Sequence, residues 1–375
     1  MRHASRVNRW KLLTGAVVSV LTLAPAAALA ADTGYAWVWA GNLTGDYTPP
    51  ASYAYNSRGG TLRVVNVSTG DYRVDITHFT GSGGNVQVSA YGYGSERCKV
   101  RSWYPSATNT VSINIRCHDV AGNLVNTRFV ALYNSQQLTT PGGQWGAYLW
   151  TDFPTATSSY TPSSTYQWNA SGLLSTVART TTGNYNVTLT GQTSEFPSSL
   201  LVTAYGDGSE YCKVVNWGTG STSSSNIAYV RCFAANGQPA DSRFTLSFFT
   251  SSPTLNAPTG FVWAHDKVSA SYTPYSWYQF NSYGGTNTAG RSSLGSFWVQ
   301  YPGLKATGPT DWGWNASSTT LVTAYGSGSE HCKVGGWSNS GDGARVSISC
   351  FDATGNLVDT QFNQAFMNND FLPPQ

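Results

Sequence analysis

The sequence predicts an all-β protein built from three tandem antiparallel β-sandwich modules of roughly immunoglobulin size, each holding one internal disulfide. Three observations lead to this. The stretch AYGYGSERCKVRSW (Ala90–Trp103) returns as AYGDGSEYCKVVNW (Ala204–Trp217) and as AYGSGSEHCKVGGW (Ala324–Trp337), with starts 114 and then 120 residues apart. That period suits tandem domains rather than a short-repeat solenoid. Each copy is followed by a second cysteine (Cys117, Cys232, Cys350), a glycine five residues later and a phenylalanine twelve residues later. Short alternating runs separated by Gly, Asn and Ser turns fill the rest, and helical periodicity is nearly absent.

Taken in order, residues 1–30 read as a secretory signal peptide. Arg2, Arg6, Arg9 and Lys11 form a cationic start, Leu12–Leu23 an apolar middle, and Ala28-Leu29-Ala30 a small-residue cleavage site, with cleavage expected after Ala30. The apolar part is broken by Pro25 and is short for a membrane span. Repeat one is then expected over 31–140, repeat two over 141–255 and repeat three over 256–375. Leu138–Gly143 and Pro253–Pro258 read as linkers, and Asn368–Gln375 as a frayed tail.

Each repeat opens with an aromatic strand: Gly34–Trp39, Trp145–Trp150 and Thr259–Trp263. A loop follows to Tyr-Thr-Pro at Tyr47, Tyr160 and Tyr272. Seven residues after each proline stands Asn56, Asn169 or Asn281, a matched offset that predicts a fixed turn. The next strand alternates, so that Tyr72, Val74 and Ile76 share a face, as do Tyr185, Val187 and Leu189, and Phe297, Val299 and Tyr301. In the second-cysteine strand Val111, Ile113, Ile115 and Cys117 alternate with polar residues, and so do Val346, Ile348 and Cys350. Both cysteines of a repeat are therefore expected to point into one core. Six cysteines allow 15 pairings, but internal repetition selects Cys98–Cys117, Cys212–Cys232 and Cys332–Cys350. Zinc is the poorer reading, since spacings of about twenty without histidine partners do not suit it.

The combination of Gly-Asp/Asn-Tyr-x-Val, Ala-Tyr-Gly, Cys-Lys-Val-x-x-Trp and Cys-x-x-x-x-Gly ending in Phe resembles repeat modules of uncharacterised secreted proteins from high-GC Gram-positive bacteria. The resemblance covers nearly the whole chain beyond residue 30. It implies export and modularity and carries no activity.

Charge is scarce, at 10% of residues, against a typical quarter. Removing the four signal cations leaves 17 Lys+Arg against 18 Asp+Glu. Such a near-neutral surface offers no footprint for nucleic acid or anionic lipid, and membrane insertion is not expected. Catalytic constellations are also missing. Histidines at 78, 118, 265 and 331 leave repeat two with none, so a Ser-His-Asp or Cys-His site cannot be common to the repeats. Asp119 and Asp352 match, but repeat two has Ala234 in their place. Asp241 and Asp359 match, but repeat one has Asn126. Glu96, Glu210 and Glu330 have no repeated carboxylate partner of the kind a glycosidase needs. Asp207 hints at calcium in one repeat only. The expectation is a non-enzyme with no cofactor and no metal.

Aromatics are the strongest functional lead, at 14% of residues. Counting parity outward from the cysteines puts Tyr91, Lys99 and Trp103 on the solvent face, with Tyr205, Lys213 and Trp217, and Tyr325, Lys333 and Trp337 as their copies. Flat rings beside a cation suit sugar faces. The expected function is therefore multivalent binding of a glycan or cell-wall polymer by a secreted protein. A structural envelope or matrix component, its aromatics purely architectural, is the alternative, and a hydrolase with a site in one repeat the third reading.

Overall fold

A computed structural model describes Met1 and residues 33–79, 83–136, 146–193, 196–220, 224–251, 258–306, 308–309 and 315–369. The signal-peptide reading, Trp145, most of both linkers and the end of the tail lie outside these residues. Repeat one forms β1 (Gly34–Ala40), β2 (Ala54–Asn56), β3 (Leu62–Ser68), β4 (Asp71–Thr77), β5 (Asn85–Tyr91), β6 (Arg97–Ala107), β7 (Thr110–His118) and β8 (Arg128–Ser135). Repeat two forms β9 (Ala147–Trp150), β10 (Gln167–Asn169), β11 (Thr176–Thr181), β12 (Asn184–Thr190), β13 (Ser198–Tyr205), β14 (Tyr211–Thr219), β15 (Ser225–Phe233) and β16 (Arg243–Thr250). Repeat three forms β17 (Thr259–Ala264), β18 (Gln279–Asn281), β19 (Thr288–Ser293), β20 (Ser296–Pro302), the short ladder β21 (Gly308–Pro309) and β22 (Asn315–Ala316), then β23 (Ser318–Tyr325), β24 (His331–Ser340), β25 (Gly343–Phe351) and β26 (Gln361–Asn368).

The expected turns and faces are where the spacing put them. Asn56, Asn169 and Asn281 each accept the N–H two residues on, from Arg58, Ser171 and Tyr283, at 2.9 to 3.0 Å. Their amides also donate across to Thr77, Thr190 and Pro302 carbonyls, tying the turn to the end of the alternating strand. The faces Tyr72/Val74/Ile76, Tyr185/Val187/Leu189 and Phe297/Val299/Tyr301 are all buried. Cys98–Cys117, Cys212–Cys232 and Cys332–Cys350 are bridged, and no free cysteine remains. Three disulfides belong with an oxidising, extracellular environment. Among the described residues no helix is long and apolar enough to cross a membrane.

The sheets do not stop at repeat boundaries. Each repeat splits into two four-stranded antiparallel halves, β2-β1-β8-β5 and β6-β7-β4-β3 in repeat one. A buried cluster within repeat one draws Val38, Val86, Phe129 and Tyr133 from the first half and Val74, Val100, Ile113 and Ile115 from the second. Each half then continues into a different neighbour. The three eight-stranded sheets are β3-β4-β7-β6-β13-β16-β9-β10, β11-β12-β15-β14-β23-β26-β17-β18, and β19-β20-β25-β24-β5-β8-β1-β2. Repeat one thus joins repeat two, two joins three, and three joins back to one. Residues 32–375 form one compact unit. The three tandem repeats are thus closed into a ring.

Closure explains why the opening strands read as nearly continuous apolar runs. β1 and β8 are covered on both faces: Ala36 and Val38 enter the core of repeat one, while Tyr35, Trp37, Val130 and Leu132 enter a central cluster that also holds Tyr148, Leu201, Phe249 and the core of repeat three. At the centre, Ser89, Thr203 and Thr323 bond backbone groups of the neighbouring repeat. Ser89 Oγ donates to Val322 O at 3.1 Å, Thr203 Oγ1 to Val88 O at 3.3 Å and Thr323 Oγ1 to Val202 O at 3.2 Å. Small hydroxyls satisfy a backbone there without widening the centre.

Candidate functional site

The three seams are built by the thrice-copied stretch itself. Each is a parallel meeting of two strands, β6 with β13, β14 with β23 and β24 with β5, in which Val100 stands opposite Tyr205, Val214 opposite Tyr325 and Val334 opposite Tyr91. The glycine after each tyrosine donates its N–H to the valine carbonyl: Gly206 to Val100, Gly326 to Val214 and Gly92 to Val334, at 2.8 to 2.9 Å. Those glycines have φ between +107° and +115°, a region essentially closed to other residues. Farther along, Gly122, Gly237 and Gly355 let the next repeat approach. A Cβ on Gly122 would lie 2.8 Å from Ser209 Oγ, one on Gly237 2.6 Å from Ala353 Cβ, and one on Gly355 3.0 Å from Ser95 Oγ.

Lysines 99, 213 and 333 do not face water. They are 3%, 1% and 1% exposed, and each reaches into the next repeat. Lys99 Nζ donates to Glu210 at 2.9 Å, Lys213 to Glu330 at 2.7 Å and Lys333 to Glu96 at 2.6 Å. Parity placed them correctly, away from their own core, but that face is covered by the neighbour. Burial holds the lysines below their ordinary value even though the carboxylates oppose it. Burial alone would raise the glutamates, and the lysine at hydrogen-bond distance instead brings them below the usual carboxylate range.

The tryptophans are displaced for a different reason. Pairing between the cysteine strands slips after Val100, Val214 and Val334. This bulge restores Trp103, Trp217 and Trp337 to the inward face. Trp103 and Trp217 are 6% and 5% exposed, and Trp337 is half-buried. Tyr91, Tyr205 and Tyr325 are half-buried too, and each meets the tryptophan of the preceding repeat rather than its own. The ring centroids lie 5.6 Å apart for Tyr91–Trp337, 5.4 Å for Tyr205–Trp103 and 5.7 Å for Tyr325–Trp217. The exposed Tyr/Lys/Trp triad is therefore not present in any copy.

Two further rings complete each cluster. Trp39, Trp150 and Trp263 end the aromatic part of the opening strands, and Tyr53, Tyr166 and Tyr278 sit on one-turn 3₁₀ segments. The tryptophans pack edge-on against Trp337, Trp103 and Trp217 of the seams. Each tyrosine packs against the opening-strand tryptophan of its own repeat, and Tyr166 and Tyr278 also meet Trp103 and Trp217. The tyrosines stand four residues after each Tyr-Thr-Pro proline, a recurrence that could have flagged them. The indole N–H of Trp39, Trp150 and Trp263 is buried without an acceptor in all three copies, so the unpaired donor belongs to the seam design.

The seams differ at their mouths. Between repeats two and three a pocket of about 190 Å³ is lined by Phe196, Ser198, Trp217, Asn226, Trp277 and Tyr278. Trp277 is 58% exposed, and its counterparts are Ser52 and Thr165. Tyr275, also exposed, stacks on His265 with centroids 3.9 Å apart.

The carboxylates weighed for catalysis are committed to turns and seams. Asp119 accepts from Asn123, and Asp352 from Thr354 and Asn356. Asn126, Asp241 and Asp359 accept the N–H of Gly70, Gly183 and Gly295 at 2.8 Å each. Asp207 pairs with Arg101 and Arg116 of repeat one. Among the described residues no three His, Cys, Asp or Glu side chains converge on a metal position. No protein-family model matches the chain, and no curated protein matches it.

Proposed function

We propose that this is a secreted, non-catalytic protein that binds a glycan or cell-wall polymer through aromatic clusters at its seams, the principal site lying between repeats two and three. In this reading each repeat is an antiparallel β-sandwich whose layers run on into its neighbours, and the export signal and kinship with secreted bacterial repeat modules are part of the proposal. The observation that carries it is the pocket beneath Trp277, where one exposed indole stands beside Tyr278 and the edge of Trp217. Exposed rings with few rotatable bonds suit the apolar faces of sugar rings. The half-buried tyrosines of the other two seams supply weaker sites on the same rigid body, which raises avidity on a repeating polymer.

Co-sedimentation of residues 31–375 with cellulose, chitin, starch, mannan and peptidoglycan tests the reading. Retention on one of them is expected, and Trp277→Ala is expected to weaken it about tenfold, the value of one lost stacking contact, without shifting the unfolding temperature. Retention on none, or retention indifferent to Trp277→Ala, overturns it. Trp217 is unsuited to this test, because its truncation removes a core ring. The second reading, an extracellular structural component, is favoured by the use of each repeated Glu, Lys and Trp inside a seam. It predicts no polymer retention with an unchanged, highly stable fold.

A further inference from the structure

We infer that the ring encloses a site for one small monovalent anion of halide size, held by the Arg97 guanidinium. Arg97, Tyr211 and His331 occupy equivalent positions, each following a seam glutamate, and all three are buried. Tyr211 donates to Ser329 O at 2.6 Å, and His331 Nε2 meets Ser95 O at 3.0 Å. The arginine stands out from this pattern. It is 6% exposed, its Nη2 donates to the carbonyls of Asp119 and Val120, and its guanidinium lies over the Tyr211 ring at 4.2 Å. Nε and Nη1 have no acceptor in hydrogen-bond geometry, although the Tyr211 hydroxyl is near enough to favour the charged guanidinium.

Arg97 borders a cavity of about 60 Å³ also lined by Glu96, Lys99, His118, Glu210, Lys213 and Glu330. That volume exceeds what one water needs. The cations around it are not all paired. Lys99, Lys213 and Lys333 are matched one to one by Glu210, Glu330 and Glu96. His118 and His331 are neutral, pushed down to about 4 and about 3 by burial and by nearby cations. Arg97 has no carboxylate at ion-pair distance among the described residues, and arginine does not shed its proton. Asp119 favours the charged guanidinium from a distance, but its carboxylate is held by Asn123 in its own loop and Arg97 reaches only its backbone carbonyl. A buried guanidinium with no ion-pair partner and two unused donors is costly. A halide against Nε and Nη1 would use both donors and place an anion directly beside the guanidinium. Repeats two and three have no cation at this position, so one anion and not three is expected. The inference is independent of the polymer-binding reading.

Thermal unfolding of residues 31–375 at fixed ionic strength, with gluconate replaced stepwise by chloride or bromide, tests it. A saturable rise of about 2 °C or more is expected for a ligand bound only by the folded state, and none for Arg97→Gln or for Arg97→Tyr, the residue of repeat two. Crystals of the unaltered protein grown in bromide should give one anomalous peak within hydrogen-bond reach of Arg97 Nε. Equal halide responses in the unaltered protein and both variants, or no bromide peak in the cavity, overturn the inference. Should both variants fail to fold, the anomalous peak decides alone.

Discussion

Replacing Glu330 by Gln is the sharpest perturbation of the seams. It keeps the shape and removes only the charge that faces Lys213, which is 1% exposed and bonded at 2.7 Å. Removing one member of a buried pair costs about 3–5 kcal/mol, because the other charge is left unpaired in a poorly hydrated place. There is also a ceiling. A stranded lysine escapes by losing its proton, at about 1.4 kcal/mol per pH unit below its ordinary value near 10.5, or about 5 kcal/mol near pH 7. The ceiling falls to about 2 kcal/mol near pH 9. The destabilisation of Glu330→Gln must therefore shrink as pH rises, which a mere packing defect would not do. Guanidinium unfolding at several pH values between about 6.5 and 9 measures this. The double variant Lys213→Met/Glu330→Gln should regain most of the loss, since a well-packed apolar side chain often replaces a buried pair at little cost. Breaking the exposed pair Arg63–Asp46, at 57% and 44% side-chain exposure, should cost about 1 kcal/mol or less. A loss below about 1 kcal/mol for Glu330→Gln near pH 7, or one that stays level to pH 9, would show that this pair does not clamp the seam.

Acid should loosen the centre before it protonates most carboxylates. His118 and His331 sit below the ordinary 6.5 in the folded chain, so protonation favours unfolding; their contribution is complete above about 6.5 and fades as pH falls toward about 4. For His118 this is up to about 3 kcal/mol, and His118→Phe, the residue found at Phe233 and Phe351, should flatten the pH dependence of the unfolding midpoint in that window. Gly237→Ala should cost about 2–4 kcal/mol by chemical denaturation, because its Cβ meets Ala353 at 2.6 Å in addition to backbone strain. Gly59→Ala, at φ +71° with nothing within 4 Å, should cost about 1 kcal/mol. Replacing Cys212 and Cys232 together by Ser opens a bridge of sequence separation 20 and should lower stability by about 3 kcal/mol under non-reducing conditions.

The strands, turns and disulfide pairs could be read from the sequence because each is a local matter. Alternation at Tyr72/Val74/Ile76 fixes a face, and the seven-residue offset from proline fixes the Asn56 turn without reference to any distant residue. The seams were harder. Nothing near Lys99 announces that its partner is Glu210, more than a hundred positions away. Parity counting assigned Lys99 rightly to the face away from its own core, yet had no means of knowing that a second repeat covers it. The bulge after Val100 is also local, but bulges carry weak sequence signals, and one extra residue reverses every side chain beyond it. One clue was present and points to the seams in hindsight. Three of the four glutamates and three of the five lysines beyond residue 30 recur at fixed places in a charge-poor chain, which is how a protein spends rare charges on a contact it makes three times.

That recurrence also argues for closure over an open row. In each repeat the lysine points forward and the glutamate receives from behind. An open array of three would leave Glu96 without a donor and Lys333 without an acceptor. It would also expose β5 and β24 as unpaired edges, which invite association with other chains. Folding the third repeat back on the first removes both penalties in one contact, the Lys333–Glu96 pair beside the β24–β5 junction. The free edges that remain are the outer ones. Three of them are the three-residue strands β2, β10 and β18, and the others, β3, β11 and β19, are met by single bridges from Tyr47, Tyr160 and Tyr272. Each of those tyrosines is followed two residues later by a proline, which has no N–H with which to extend the pairing. The same Tyr-Thr-Pro that marks the repeat in the sequence therefore ends its sheet in the fold.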